Sequence, residues 1–298
     1  MRFGLIGTGP WAERVHGPAL ASAEGIELVG VWGRSAERAG ALATTLGVDP
    51  YDDVDGLVAD VDAVAFAVPP DVQADLAPRV AAAGKHLLLE KPVALDPARA
   101  RVVGDAVAAA GVASVVFFTD RFVGSARAWF GEVQELGGWR GGWLRWFSAL
   151  QDEANPFGAS PWRHEQGALW DIGPHAISTL TAALGPIRAV RAVGGEADLV
   201  VLTFTHESGA TSTATLSAFA PLPACGFEAA VWGEHGLLPM PPRPEGAVLE
   251  PFRTAAHELV AAAESGAGHA VDVVFGVHVV EILADAADQL AGAGSRQS

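Results

Sequence analysis

The sequence predicts an α/β protein of two domains. The first is a doubly wound parallel sheet, and the second is an α+β domain built on a mostly antiparallel open sheet. In the first part of the chain, short apolar runs alternate with helix-like runs, which is typical of a parallel sheet covered by helices on both faces. From about Thr119, strand-like runs follow one another without helices between them. The 298 residues, half of them hydrophobic, are enough for two buried cores.

We place the first domain at residues 1–119 and the second at residues 120–298. The predicted strands of the first domain are the apolar runs 2–6, 26–32, 62–67, 86–90 and 114–118, and its helices lie near 10–22, 36–46, 71–83 and 97–110. The second domain is predicted to contain a helix near 125–135, strands at 143–149, 187–193, 199–205, 211–217 and 227–232, and two closing helices at 252–264 and 271–291.

Composition limits the partners of the chain. Acidic residues outnumber basic ones by 35 to 19, and this argues against a nucleic-acid surface, which needs a basic face. Cys225 is the single cysteine, so we expect neither an intramolecular disulfide nor a cysteine-rich metal site. The N-terminal apolar run is short and broken by glycines, and no run is long enough to span a membrane. We therefore expect a cytoplasmic protein with small-molecule ligands.

A glycine-rich turn follows the first predicted strand and opens a helix. Glycines at these positions allow a tight turn, and the backbone amides and helix dipole at such a turn favour an anion. Glycine-rich turns are common, but this placement after a strand predicts a Rossmann-type nucleotide-binding domain. The residues expected to hold the pyrophosphate are Gly7, Thr8, Gly9, Pro10, Trp11 and Ala12.

The end of the second predicted strand indicates which cofactor is bound. An NAD-binding domain usually places an acid there, whereas this chain has Gly33-Arg34-Ser35. A small residue followed by Arg and Ser leaves room for a 2′-phosphate and supplies groups that hold it, so NADP is predicted, with Arg38 nearby. The alternatives are that Arg34 and Arg38 are ordinary solvated residues and that NAD is also used.

Val68 and Pro69 follow the strand 62–67, beside the expected cofactor crevice. They are candidates for contact with the nicotinamide ribose. Plain turn and helix-start chemistry explains them equally well.

Two further motifs carry the chemistry. The strand 86–90 runs into Glu90-Lys91-Pro92 at the edge where open α/β sheets bind ligands. A lone Lys there is usually a solvated turn residue. With the turn at residues 7–12 and the later Asp171-Ile172-Gly173-Pro174-His175, in this order and approximate spacing, the chain resembles the Gfo/Idh/MocA oxidoreductases, relatives of glucose-fructose oxidoreductase and inositol dehydrogenase. The resemblance spans nearly the whole chain and is detailed only around these motifs.

The resemblance implies hydride transfer between a nicotinamide cofactor and a sugar, inositol or sugar-derived keto compound. It implies that Lys91 contacts the reacting oxygen and the nicotinamide end of the site, that Glu90 positions Lys91, and that the bond before Pro92 is commonly cis. It also implies that His175 is the acid/base and that Asp171 contacts the sugar or orients His175. These roles are chemically sound, because a Lys stabilises a developing alkoxide and the ordinary pKa of His is about 6.5.

The motif around His175 also has a plainer interpretation. If one helix includes both Asp171 and His175, the two side chains share a face. Because Pro174 suits a first helical turn, Asp171 is alternatively a capping residue and His175 a partly buried helix residue. Ser178 stands where many relatives carry an acid, and this departure bears on the hydroxyl contacts of the substrate.

Other substrate candidates come from the resemblance and from residue type. Arg121 follows the last Rossmann strand and either binds a hydroxyl or carboxylate or makes an interdomain contact. Lower-ranked cleft candidates are Trp11, His16, Trp162 and Arg163. No metal is predicted, because the acids and histidines near His175 lack a recurring ligand spacing. A Ser/His/Asp hydrolase is excluded by the lack of a Gly-x-Ser-x-Gly elbow.

We expect a homodimer or homotetramer. Family members often pair through the open face of the second sheet, where Trp143, Arg145 and Phe147 alternate with inward residues; a monomeric mass in solution would contradict this. Two other functions stay open: a non-catalytic NADP-binding sensor or scaffold of the same fold, and a related reductase that acts on a non-sugar such as a linear tetrapyrrole.

Overall fold

The computed structural model describes residues 1–153, 155, 158, 160–243 and 248–294. The chain forms two compact units, Met1–Phe122 with Gly246–His278, and Val123–Glu245 with Val279–Ser298. The predicted fold class is confirmed, because the first unit carries a parallel sheet and the second a mixed, mostly antiparallel sheet. The boundary between residues 119 and 120 stays a prediction.

The strands and helices are numbered in chain order. The strands are β1 Arg2–Ile6, β2 Glu27–Trp32, β3 Asp49–Pro50, β4 Ala63–Phe66, β5 His86–Leu89, β6 Ser114–Val116, β7 Trp139–Phe147, β8 Ile187–Gly194, β9 Val200–His206, β10 Thr211–Ser217, β11 Gly226–Gly233 and β12 Gly236–Pro239. The α-helices are α1 Gly17–Ala21, α2 Ala36–Leu46, α3 Val54–Ala59, α4 Pro70–Ala82, α5 Pro97–Ala110, α6 Gly124–Leu136, α7 Pro161–Asp171, α8 Gly173–Leu184, α9 Leu249–Ser265 and α10 Val273–Gly294.

The first sheet has the strand order β3-β2-β1-β4-β5-β6, and neighbouring strands run parallel. The strand order reverses direction between β1 and β4, and ligands of open α/β sheets bind at such a point, beyond the carboxyl ends of the strands. The side chains of β4 are fully buried, as expected for a central strand covered on both faces. The topology therefore fixes where a nucleotide site belongs.

Local chemistry starts and stops the helices of this unit. Ser35, Asp53 and Asp96 precede α2, α3 and α5, and each side chain accepts a hydrogen bond from the backbone N–H three residues later. Gly47 and Gly111 end α2 and α5 with φ angles of 70° and 64°. Such left-handed ends favour glycine. Helices α2 and α5 were predicted from the sequence, whereas the short elements α3, β3 and β12 were not.

The late helix α9 belongs to the first unit. It buries Phe252, Ala255, Ala256 and Leu259 completely. His257 Nε2 also lies 2.8 Å from the carbonyl oxygen of Glu24. Helix α9, which lies more than 120 residues after Phe122 in the sequence, thus completes the core of the first unit.

The second sheet has the order β12-β11-β7-β10-β9-β8, in which β7 and β10 are parallel and the other neighbours are antiparallel. Leu144 on β7 and Leu216 on β10 are buried on one face. Trp143, Arg145 and Phe147 are half-buried on the opposite face, as the alternation in β7 predicted.

A buried histidine supports the end of this sheet. His206 is fully buried; its Nδ1 lies 2.7 Å from the carbonyl oxygen of Gly185 and its Nε2 lies 2.8 Å from the hydroxyl of Ser212. The carbonyl accepts, so Nδ1 carries the hydrogen and Nε2 accepts from the hydroxyl. Burial lowers the pKa of His206, opposed by the hydrogen bond to Gly185.

We expect His206 to make the protein less stable in mild acid. Because its pKa is lowered on folding, the unfolded chain binds a proton at a higher pH than the folded chain. The stability that the neutral ring contributes is complete above about pH 6.5, the ordinary His pKa, and is lost as the pH falls below it. The slope from this group approaches about 1.4 kcal/mol per pH unit.

Urea unfolding of the parent and of His206→Gln from about pH 8 to about pH 5 measures this effect. The free energy of unfolding should fall more steeply in the parent than in the variant. Parallel curves for the two proteins would show that His206 is not the group responsible.

Candidate functional site

The glycine turn after β1 is built by a close backbone approach. Gly7 has a φ of 130°, and a Cβ there would lie 2.3 Å from the carbonyl oxygen of Ala67 after β4. The N–H of Gly7 donates to the carbonyl of Trp32, 2.8 Å away. A side chain at position 7 would separate these segments, so only glycine is compatible with the turn.

The same turn presents unused donors to open space. The N–H groups of Thr8 and Gly9 find no acceptor among the described residues. A Cβ at Gly9 would have no atom of the described residues within 4 Å. Helix starts with free amides are anion sites, so this turn fits a phosphate group.

A cavity of about 450 Å³ opens at this edge of the sheet. It is lined by Gly7, Thr8, Gly9, Trp32, Gly33, Arg34, Ser35, Arg38, Ala67, Val68, Pro69 and Val72. The predicted cofactor residues other than Pro10, Trp11, Ala12, Glu90 and Lys91 are therefore brought together. Pro10 and Trp11 are half-buried, and Ala12 is fully buried at the start of a π-helical turn, Ala12–His16.

The end of β2 differs from its predicted chemistry. A Cβ at Gly33 would lie 2.5 Å from Cγ2 of Thr8, so the space beside this glycine is filled by Thr8 and is not left for a phosphate. The Ser35 hydroxyl caps α2, and Nη2 of Arg38 donates to the carbonyl of Thr8 at 2.6 Å. Arg34 lines the cavity, is exposed, and has no partner among the described residues.

The turn after β5 is held by a buried glutamine. Nε2 of Gln73 on α4 donates to the carbonyls of Glu90 and Val93, at 2.8 and 3.2 Å, and Oε1 accepts from the N–H of Glu90 at 2.8 Å. Oε2 of Glu90 accepts from the N–H of Lys91 at 3.2 Å. The Lys91–Pro92 peptide is cis, and Lys91 is 8% exposed. Lys91 therefore sits in a turn whose backbone is fixed from two sides.

His16 is part of this arrangement, although the sequence analysis placed it in a cleft. The prediction was wrong, because His16 is fully buried and its Nε2 lies 2.9 Å from Oε1 of Glu90. Arg121, another candidate, is half-buried in a 3₁₀ turn, Thr119–Arg121.

In the second unit, Asp171 and His175 do not share a helix. Asp171 ends α7, Ile172 lies between the helices, and α8 begins at Gly173. Pro174 occupies the first turn of α8, where its missing N–H costs nothing. Ser178 is buried one turn after His175. The one-helix interpretation is therefore corrected.

Asp171 is held by an arginine. Nη1 of Arg163 donates to both carboxylate oxygens of Asp171, at 2.7 and 2.8 Å, and each side chain is 11% exposed. The guanidinium of Arg163 also lies over the ring of Trp162, 5.0 Å from its centroid. The ring of His175 lies 5.3 Å from the ring of Trp146 on β7. Trp162, Arg163 and Asp171 thus form one cluster.

A half-buried carboxylate, Asp198, lies against the kink inside α7 and was not predicted from the sequence. Gly167 has a φ of 63°, and a Cβ there would lie 2.3 Å from Oδ1 of Asp198. Oδ2 of Asp198 accepts from the N–H groups of Ala168 and Ala218, at 2.8 and 3.3 Å. Burial raises the pKa of Asp198, and the two backbone hydrogen bonds oppose that shift. A glycine inside a helical run was the only signal in the sequence.

The candidate catalytic residues belong to different units. Lys91 lies in the first, and Asp171 and His175 lie in the second, so their action on one substrate stays a prediction. Within the described ranges, no group of three or more His, Cys, Asp and Glu side chains is arranged to hold a metal ion. No helix in those ranges has the length and apolar character needed to cross a membrane.

A doubly wound sheet with a glycine turn at its switch point defines the class of nucleotide-binding α/β proteins. The chain belongs to the GFO/IDH/MocA oxidoreductase family. Residues 1–118 match the model described as oxidoreductase family, NAD-binding Rossmann fold, and residues 127–238 match the GFO/IDH/MocA C-terminal domain. The predicted family is confirmed.

Relatives include a D-xylose 1-dehydrogenase (NADP⁺) of Haloferax volcanii, 30% identical over 71% of this chain and 68% of its own. An inositol 2-dehydrogenase of Rhizobium meliloti is 36% identical over 41% of this chain. The chain covers only 30–37% of the length of this inositol 2-dehydrogenase and of two other curated relatives. A levoglucosan dehydrogenase solved with NADH and levoglucosan shares the fold, with a TM-score of 0.84, 20% identity and coverage of 98% and 97% of the two chains.

Replacing Arg163 with Met should destabilise the protein by about 3 kcal/mol, because it leaves the buried Asp171 carboxylate without this partner. The matched control is Arg79→Met, which breaks the exposed pair with Asp55 and should cost less than about 1 kcal/mol. Urea unfolding at neutral pH measures both. Equal losses in the two variants would show that the Arg163–Asp171 pair behaves as a surface pair.

Proposed function

We propose that this chain is an NADP(H)-dependent oxidoreductase that transfers a hydride between nicotinamide and a hydroxyl-bearing or keto carbon of a sugar, inositol or similar compound. The cavity at the glycine turn carries the proposal, because it combines backbone amides and an arginine that have no partner among the residues the structure describes. The names of two relatives, a D-xylose 1-dehydrogenase (NADP⁺) and an inositol 2-dehydrogenase, support the substrate class.

Each part of the cofactor has residues of suitable chemistry. The N–H groups of Thr8 and Gly9 accommodate the pyrophosphate, and Arg34 pairs with the 2′-phosphate of NADP as a charged donor. Ser35 and Arg38 act indirectly, since they hold the backbone of α2 and Thr8. Once bound, the nicotinamide supplies or accepts the hydride. NAD as a second cofactor is an outcome of the binding test below.

The catalytic roles follow from charge and burial. Lys91 donates a hydrogen bond to the reacting oxygen and stabilises the negative charge that develops on it, an effect that is strong for a group only 8% exposed. His175 takes or returns the hydroxyl proton. Asp171, held by Arg163, orients His175 or binds a neighbouring hydroxyl. The half-buried Arg121 and the Trp162 ring are the remaining substrate contacts in this proposal.

The protein is further proposed to act as a cytoplasmic homodimer or homotetramer. The surface that fits a second copy is the sheet face bearing Trp143, Arg145 and Phe147, with the exposed Trp232 beside it. Large aromatic side chains and arginine are the residue types enriched in such interfaces.

Arg34→Ala tests the cofactor assignment. It should weaken NADPH binding about tenfold, because it removes one charge-assisted contact at an exposed site, and it should leave NADH binding unchanged. Fluorescence titration of both cofactors measures the change, with Arg79→Ala as a control outside the cavity. An equal loss for NADPH and NADH, or tighter NADH binding by the parent, would overturn the NADP assignment.

Lys91→Met and His175→Asn test the chemistry. We expect each to lower kcat by about 10²–10⁴-fold on a panel of sugars and keto sugars, because each removes a group that acts on the reacting oxygen or its proton. Lys85→Met is the matched control, since Lys85 donates to the carbonyl of Val61 at the opposite end of β5.

The parent protein decides between the remaining functions. Turnover only with non-sugar carbonyl compounds would favour a related reductase. Tight NADPH binding with no turnover of any substrate would favour a sensor or scaffold. Unchanged kcat in both variants would remove Lys91 and His175 from the mechanism.

A further inference from the structure

We infer that His16 is a positioning residue for Lys91. Its ring holds the carboxylate of Glu90, and Glu90 in turn holds the backbone N–H of Lys91. The consequence for turnover rests on the proposed function, whereas the consequence for the geometry of Lys91 does not.

The hydrogen bonds divide the two oxygens of Glu90 between two tasks. Oε1 accepts from Nε2 of His16 at 2.9 Å, and Oε2 accepts from the N–H of Lys91 at 3.2 Å. The backbone of Glu90 is already fixed by Gln73 at both its N–H and its carbonyl. The direction of the carboxylate therefore depends on His16, and the second oxygen of that carboxylate caps Lys91.

The path of the chain ties His16 to the cofactor turn. His16 ends the π-helical turn Ala12–His16, which begins directly after the glycine turn. The N–H of Glu13 donates to the carbonyl of Gly9 at 3.0 Å, so this turn is joined to the glycine that faces the cavity. π-helical turns are rare in proteins, and those that occur often lie at functional sites. His16 thus connects the cofactor turn with the turn that carries Lys91.

The imidazole itself is tightly held. The ring stacks on Phe252, with centroids 3.9 Å apart and planes at 23°. The ring of Phe117 is nearly perpendicular to it, with centroids 6.3 Å apart. Both phenylalanines are buried. The ring has little freedom to turn away from Glu90, and a fixed donor orients its acceptor.

The other ring nitrogen argues against a purely packing role. Nδ1 of His16 is buried without a hydrogen-bond partner among the described residues, whereas both nitrogens of the equally buried His206 are bonded. A buried polar atom without a partner is unfavourable, and an aromatic hydrocarbon ring would avoid that penalty. The feature that distinguishes His16 from Phe at this position is the Nε2–H that meets Glu90.

The test uses the fact that Lys85 and Lys91 are the only lysines in the sequence. In protein labelled with ¹⁵N-lysine, two backbone amide signals appear, and Lys85→Met assigns them. The Lys91 amide reports directly on the hydrogen bond to Glu90. The Lys85 amide, which donates to the carbonyl of Val80 at 3.3 Å, is the internal reference.

Three variants separate positioning from packing. His16→Phe keeps an aromatic ring but removes the donor, and should move the Lys91 amide proton upfield and lower kcat by up to about 10²-fold, more than it changes KM. His16→Gln supplies an amide N–H in place of Nε2–H and should restore both. His206→Phe, an equally buried change in the second unit, should leave the Lys91 signal and kcat as in the parent.

An unmoved Lys91 amide in His16→Phe, or no rescue by His16→Gln, would overturn the inference. If His16→Phe fails to fold, Glu90→Gln tests the same relay. With His16 intact, the side-chain oxygen of the introduced glutamine accepts from His16, and its NH₂ group then replaces the oxygen that accepts from the Lys91 amide. An unmoved Lys91 amide signal in this variant would also overturn the inference. A parent without turnover on any substrate would remove the proposed function alone, because the amide signals are read without catalysis.

Discussion

The first unit depends on the contact between Gly7 and the carbonyl of Ala67. A Cβ at position 7 would lie 2.3 Å from that oxygen. The segments that follow β1 and β4 can therefore stay in contact only when position 7 has no side chain. The same glycine N–H is bonded to Trp32 at the end of β2. Three strand ends are thereby held at one point, and the residues that follow, Thr8 and Gly9, line the cavity.

Sequence reasoning succeeded where one local signal dictates one structure. The apolar runs and the Gly-x-Gly turn each favour one structure, and the parallel sheet follows from the alternation of apolar and helix-like runs. It failed where the signal is a contact between distant residues. The side chain of Thr8 fills the space beside Gly33, and the two residues are 25 positions apart in the sequence. Glycine at position 33 therefore makes room for Thr8 and not for a phosphate. No local pattern encodes such a pair.

The same limit explains the rest of the candidate site. Gln73, His16 and Asp198 are polar side chains that carry no motif, and each becomes informative only once its burial and partners are known. Lys91 was identified through a motif, but the groups that hold it come from α4 and from the turn before α1. The relation of Asp171 and His175 is a separate, local case: the sequence allowed one helix or a helix start at Pro174, and the structure ends α7 at Asp171 and begins α8 at Gly173.

The two units fix their candidate catalytic side chains by the same physical means. In each, a polar side chain from a distant part of the chain binds backbone groups near the functional residue: the buried Gln73 does so at Glu90, and the half-buried Asp198 does so at Ala168, on the segment that leads to Asp171. Partial burial raises the pKa of Asp198, against the effect of its two backbone hydrogen bonds. A hydrogen bond to the backbone has a direction, which an apolar contact lacks. Directional support of this kind is what a preorganised site requires, since small displacements of a donor weaken its effect on a developing charge.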